Sequence, residues 1–246
     1  MSAVGGPKIV TDSLILCLNA ADKKSYSGSG TTWYDRSGDG HNGTLEGSPT
    51  FDSANGGSIV FDGVDDYVVW DTLAAVKWQN WSSITIETVF KLVSYSGASG
   101  GSAGRQYIFD YRDNGGVNGA MGLFHDSGGA TGLKLFYNTS GTSYEQPVIT
   151  TFSLGDLIFH QVTFDKTHST NNIRHYINGV NVFTKSISIT STTTNSGKVW
   201  LGRYSGGNYD FNGNIYSHTV YNRALTSAEV LQNFNAVRSR FNLSLV

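Results

Sequence analysis

Apolar and polar residues alternate with period two along most of this chain, in short runs broken by Gly, Ser, Thr and Asn. That period puts successive side chains on opposite faces of an extended segment, so it predicts half-buried strands and not helices. Twelve candidate strands follow: Ser13 to Asn19, Gly57 to Phe61, Asp66 to Trp70, Ile84 to Leu92, Gln106 to Tyr111, Ala120 to His125, Leu133 to Tyr137, Leu157 to Asp165, Ile173 to Ile177, Val180 to Ile187, Val199 to Arg203 and Asn214 to Tyr221. The Asn178-Gly179 pair between the ninth and tenth signals a type I′ hairpin, because both residues tolerate positive φ. Ser94 to Gly104, SYSGASGGSAG, reads as a loop at one rim. Residues 1–12 carry Gly5-Gly6-Pro7 and little hydrophobic pattern, so they read as an extended arm ahead of the first strand.

The period changes near the carboxy terminus. In FNGNIYSHTVYNRALTSAEV, residues 211–230, a turn at Gly213 leads into a strand, an Asn222-to-Leu225 corner and a helix start. Thr226 and Glu229 have capping-box spacing, and Leu225 and Val230 are placed to form a hydrophobic staple. One helix is therefore predicted, from about Thr226 to Arg240.

Composition agrees with many short strands joined by tight turns: 30 glycines, 3 prolines, 39% hydrophobic and 13% aromatic residues in 246. All-β sandwiches commonly run to about 200–250 residues as a single domain, so residues 13–246 read as one. A formal charge of −2 and a pI near 6.3 supply no basic field for a phosphate backbone, and nucleic acid is not an expected partner. No apolar run is long enough to span a bilayer, and MSAVGGPKIV has no signal-peptide core. Cys17 is the only cysteine, expected as a small buried hydrophobe in a reducing compartment. Asn42, Asn80, Asn138 and Asn242 sit in N-x-[ST] sequons but are expected to be turn residues without sugar.

Little in the chain carries catalytic chemistry. Glycoside hydrolysis needs two carboxylates flanking the linkage, yet Glu46, Glu87, Glu145 and Glu229 are scattered, and Glu87 stands alone in SITIETVFKL with Thr85 and Val89 on its face. Gly38, Gly40 and Gly43 spell G-x-G-x-x-G without the following helix that a dinucleotide site needs. Gly97, Ser99 and Gly101 spell G-x-S-x-G without a strand-to-helix elbow. The six histidines lack zinc-ligand spacing. Asp62, Asp65 and Asp66 are the candidate calcium ligands, but a turn stabilised by side-chain hydrogen bonds is the preferred reading. No catalytic, cofactor or metal site is therefore expected. Sugar could stack on exposed aromatic faces; Trp33, Trp70 and Trp200 read as core, whereas Trp78 and Trp81 leave a core plug and a binding platform both open, the plug being favoured.

Three segments carry a family resemblance: the closing strand and helix above, FHQVTFDK (159–166) running into IRHYINGVNV (173–182), and GSIVFDGVDDYVVW (57–70). They resemble laminin-G-like, concanavalin A-like lectin/glucanase jelly rolls. The resemblance implies an all-β antiparallel β-sandwich with one C-terminal helix. Where such sequences place an acidic pair in the last strand, this chain has Tyr216 and Ser217, which weakens any calcium site. Residues 24–68 further resemble laminin-G-like proteins encoded by tailed, especially marine, bacteriophages. That resemblance implies a non-enzymatic virion component, such as a capsid decoration, head fibre or tail-associated protein, attached to other virion proteins through the arm. The alternative is a carbohydrate-binding or adhesion module for host or environmental glycans; both a monomer and a homo-oligomer stay open.

Overall fold

The computed structural model describes residues 8–70, 83–95, 104–111, 121–126, 132–139, 142–149, 152–187 and 198–244, with backbone alone at 138–139 and 142–149. Trp78, Trp81 and the G-x-S-x-G triplet lie outside these residues. Among the described residues, sixteen strands form two antiparallel sheets of eight. Sheet A holds β1 (Leu14–Asn19), β4 (Thr50–Asp52), β5 (Ser58–Asp62), β7 (Ser83–Leu92), β12 (Leu157–Asp165), β13 (Ile173–Ile177), β14 (Val180–Lys185) and β16 (Asn212–Tyr221). Sheet B holds β2 (Thr32–Trp33), β3 (Gly43–Glu46), β6 (Tyr67–Trp70), β8 (Gln106–Asp110), β9 (Met121–Asp126), β10 (Gly132–Thr139), β11 (Thr142–Ile149) and β15 (Val199–Leu201). Among the described residues there is one α-helix, α1 (Ser227–Phe241), near the carboxy terminus. The predicted β-sandwich with a single C-terminal helix is the architecture observed.

Strand β16 organises sheet A. It pairs with β7 along its length, while its other edge is shared: Asn212–Ile215 pair with β5 and Ser217–Tyr221 with β1. A register shift between Ile215 and Ser217 makes this division possible, because a bulge bends a strand and re-aims its edge. At Gly213 a Cβ would stand 2.1 Å from the Lys91 carbonyl oxygen, so the β16–β7 approach admits no side chain there. The core lies between the sheets, where Ile84, Ile86, Phe90 and Leu92 of β7 meet Ile108, Phe109, Leu123 and Leu135 of sheet B.

The other face of sheet A is covered by α1. The capping box is formed: Thr226 Oγ1 accepts from the Glu229 amide at 3.3 Å, and Glu229 Oε2 accepts from the Thr226 amide at 2.8 Å. Leu225 and Val230 pack in one apolar cluster, as the staple requires. Phe234, Val237 and Phe241 bury against Val89, Phe159 and Tyr216. The Asn178-Gly179 hairpin has positive φ at both residues, 50° and 81°. It tucks beneath the helix, since a Cβ on Gly179 would meet the Phe234 ring at 2.9 Å. At the far end Arg240 donates to the Asn55 and Gly57 carbonyls and to Asn19 Oδ1.

Lys8 to Asp12 dock on this covered face. Val10 is buried; its amide donates to Asn233 Oδ1 at 2.8 Å, and its carbonyl accepts from the Tyr221 hydroxyl at 3.0 Å. Gln232 Nε2 reaches the Lys8 carbonyl at 2.9 Å.

Two outcomes are expected from chemical denaturation. Thr226→Ala should lower stability by about 1 kcal/mol, the usual worth of a hydroxyl N-cap. Gly213→Ala should cost more, ~2 kcal/mol or above, because backbone must move to admit the methyl group; equal midpoints for the two variants would contradict the close approach at Gly213.

Candidate functional site

Among the described residues no helix lies over the face of sheet B turned away from the core, and its strands set out a row of buried rings, Tyr107, Phe124 and Phe136. Lys134 of β10 pairs directly with Phe124 of β9, which pairs with Tyr107 of β8. A second row runs Phe136, Gly122, Asp110, Trp200 and Val69 across five strands. Tyr107 stacks on Phe124 with centroids 4.9 Å apart. Gly122 leaves the room for this row: a Cβ there would sit 3.3 Å from both the Tyr107 ring and Asp110 Oδ1.

The connection from β15 to β16, Arg203 to Asp210, folds over this floor. Tyr204 and Tyr209, both partly exposed, lie 5.2 and 6.2 Å from the Tyr107 ring and 5.7 Å from each other. The loop is held in place by Ser205 N donating to Asp110 Oδ2 at 2.8 Å, Tyr107 N donating to the Tyr209 carbonyl at 3.0 Å, and an Arg203–Asp210 ion pair at 3.1 Å. Asn208 and Tyr209 have φ of 68° and 55°. A bulky residue in that region is strained, and such strain persists only where surrounding contacts over-determine it. Beside the floor, Arg105 lies 4.5 Å above the Phe124 ring and, with Lys134, contacts Asp126 Oδ2 at 3.0 and 2.9 Å.

Asp110 and Asp126 are poorly placed as a pair for glycoside cleavage. Asp110 sits opposite Gly122, and Asp126 is four residues further along β9, about 13 Å away at ~3.3 Å per residue. Retaining and inverting pairs need about 5–9.5 Å. Glu87 is on the opposite side of the molecule, fully enclosed beneath α1. Gln161 Nε2 donates to its Oε1 at 2.7 Å, and Asn233 Nδ2 donates to both its oxygens at 3.0 and 3.1 Å. Burial pushes the Glu87 carboxyl up to about 7, against the pull of those two amides.

Other candidates from the sequence fall into structural roles. Oxygens of Asp62, Asp65 and Asp66 lie within 4.8 Å of one another. Asp62 Oδ1 accepts the Val64 amide at 2.8 Å, and Asp66 Oδ2 accepts the Asp62 amide at 2.9 Å, so the turn itself uses them. Burial, then the charges of Asp62 and Asp65, push Asp66 up to about 6. Cys17 is half-buried and not enclosed as expected; burial and Asp35 raise its thiol to about 11, which leaves it a poor nucleophile. Gly43 of the G-x-G-x-x-G triplet starts β3, not a helix. Trp33, Trp70 and Trp200 are buried, the last on the aromatic face.

The tyrosines at the centre of this site were not singled out by the sequence. The signal is present in RYSGGNYD, where two tyrosines flank a Gly-Gly turn ahead of the closing strand, but only folding brings them onto Tyr107.

This geometry can be set beside known proteins. Residues 61–231 match the family described as the concanavalin A-like lectin/glucanases superfamily, and the chain belongs to it. No curated protein matches the sequence. Among solved structures it is similar to the binding domain of Paraclostridial Mosquitocidal Protein 1, at 16% identity and TM-score 0.70 over 92% of this chain and 52% of that one. It is similar to Trypanosoma rangeli sialidase in complex with sialic acid, at 15% identity and TM-score 0.68 over 96% of this chain and 35% of that one. It is also similar to domain 4 of AbnA, a GH43 extracellular arabinanase from Geobacillus stearothermophilus, in complex with arabinotriose, at 18% identity and TM-score 0.62 over 90% and 98%. The chain thus spans about a third of the sialidase and half of the mosquitocidal chain. At these identities the likeness is one of fold.

The buried titratable groups give a testable pH dependence. His218 is bonded to Tyr111 and Thr88 at 2.6 and 2.9 Å, and His160 to His175 at 3.0 Å. Burial lowers His160 and His218 to about 3 and depresses His175 as well. A depressed imidazole binds its proton more readily unfolded, so its stabilisation is full above pH 6.5 and is lost as pH falls, by about 1.4 kcal/mol per unit for one such group. Glu87, shifted upward, works with the opposite sign between 4.5 and about 7. Imidazole nitrogen spectra of the folded protein at pH 5 should show all three histidines neutral, and His218→Gln should lose less stability than the wild type between pH 7 and 5. An imidazolium signal assigned to His160, His175 or His218 in the folded state at pH 5 would contradict this.

Proposed function

We propose that this chain is a non-catalytic carbohydrate-binding module whose ligand surface is the tyrosine face of sheet B. The observation that carries the reading is the strained loop that holds Tyr204 and Tyr209, partly exposed, over Tyr107. Aromatic faces pack against the C–H faces of sugar rings, and the neighbouring Ser205, Asn208, Arg203 and Lys134 supply hydrogen-bond donors and acceptors for hydroxyls. Solved structures of the same fold include complexes with sialic acid and arabinotriose, in support of this ligand class. The wide separation of Asp110 and Asp126 favours binding without cleavage.

The module is displayed on a virion, in this reading, as a decoration, fibre or tail-associated part. Support for that setting comes from the resemblance of residues 24–68 to laminin-G-like proteins of tailed bacteriophages. Since Lys8 to Val10 are engaged within the domain, Met1 to Pro7 is the segment assigned to attachment.

Binding to an array of host-surface and algal glycans tests the first part. Tyr204→Ala should weaken the best ligand about tenfold, ~1.4 kcal/mol, with an unchanged melting temperature, and no reducing ends should be released from that glycan. Unaltered affinity in Tyr204→Ala would place the ligand elsewhere. Mass spectrometry of purified particles tests the second part; deletion of Met1 to Pro7 should leave the domain folded and abolish its incorporation.

A further inference from the structure

Where β12 turns into β13 lies a cleft of about 370 Å³, separate from the tyrosine face and within the size range of small-ligand sites. Phe164 and Ile187, 1% and 7% exposed, lie at its base as part of the core. Its walls are the β12–β13 connection and the chain leaving β14, and they are clamped together. Asn172, only 6% exposed, donates through Nδ2 to the His168 and Ile187 carbonyls at 3.1 and 2.7 Å, and its Oδ1 accepts the Ile187 amide at 2.8 Å. The Asn171 amide, at a φ of 51°, donates to Ser186 Oγ at 2.9 Å. The cleft is therefore preformed.

Its polar lining is rich in donors. Lys166 brings an ammonium with three N–H groups, and Ser169 brings a hydroxyl. Ser186 Oγ is already an acceptor for Asn171, which leaves its own proton to give. The neighbouring acid, Asp165, is engaged: its Oδ1 accepts from Ser83 Oγ and the Thr167 amide and hydroxyl, and its Oδ2 pairs with His168 Nδ1. An ammonium and two hydroxyls suit a ligand that has an anionic group and further oxygens.

We propose that this cleft binds the acidic residue of a saccharide, a sugar ring bearing a carboxylate or a sulfate, with the anion on Lys166 and ring hydroxyls on Ser169 and Ser186. The proposal does not depend on the tyrosine face. Amide spectra of the full chain titrated with trigalacturonate, a sulfated carrageenan tetrasaccharide and neutral maltotriose test it. At least one acidic probe should shift the amides of Lys166, Ser169 and Ser186, while maltotriose leaves them in place; which probe acts distinguishes carboxylate from sulfate. Lys166→Met, at an exposed position and checked by its melting temperature, should weaken that binding about tenfold, and Tyr204→Ala should not. Absence of shifts at millimolar acidic probe, equal shifts from maltotriose, or full affinity in Lys166→Met would overturn it. Failure of the tyrosine-face reading alone leaves these results unchanged.

Discussion

One buried carboxyl group sets the terms for the outer half of this molecule. Glu87 projects from the middle of β7 into the interface between sheet A and α1, and a carboxylate removed from water is tolerated only with hydrogen-bond partners. Those partners are Gln161 of β12 and Asn233 of α1. Asn233 also donates to the Tyr221 hydroxyl of β16 and accepts the Val10 amide, while Gln161 also donates to the Val230 carbonyl. A single acid thus links two strands flanking its own, the helix and the residues that lead into β1. Apolar packing of Phe234 and Phe241 could place α1 in several rotations about its axis. The amide bonds to Glu87 select one.

This arrangement makes the two outer surfaces of the sandwich unequal. Sheet A is closed by the helix, whose ends are held by the Thr226–Glu229 box and by Arg240. Among the described residues no helix covers sheet B; its outward rings Tyr107, Phe124, Phe136 and Trp200 are themselves buried, and the partly exposed rings are Tyr204 and Tyr209, brought over from a loop. The charges on that surface are paired, and Asp110 is committed to the loop backbone. The result is a pair of partly exposed tyrosines held over a buried aromatic floor, with Asp110, opposite Gly122, and Asp126 set four residue steps apart along β9. Membership of the concanavalin A-like superfamily fits either binding or cleavage, so the distinction comes from these side chains and not from the fold.

Much of the architecture was legible in the sequence because it rests on local rules. Alternation identified the long strands, Asn178-Gly179 the hairpin, and Thr226-x-x-Glu229 the helix start; each depends on neighbours within a few residues. The strands that escaped notice have physical reasons for doing so. β2, β3 and β4 are two to four residues long, too short to show a period. β11 contains Pro147, which argues against a strand unless it lies at an edge, and β11 is the edge of sheet B.

What the sequence determined, then, was the class of fold, the extent of its helix and the absence of a nearby acid beside Glu87 along its own strand. Only the tertiary structure decided that Glu87 is sealed under the helix, that Tyr107, Tyr204 and Tyr209 share one surface, and that the chain beyond β14 closes a cleft against the β12–β13 connection. Strand periodicity records which face of its own strand a residue occupies. It carries no information about which strand lies beside it or what covers that face, and in a sandwich built from pairings distant in sequence those two facts make the site.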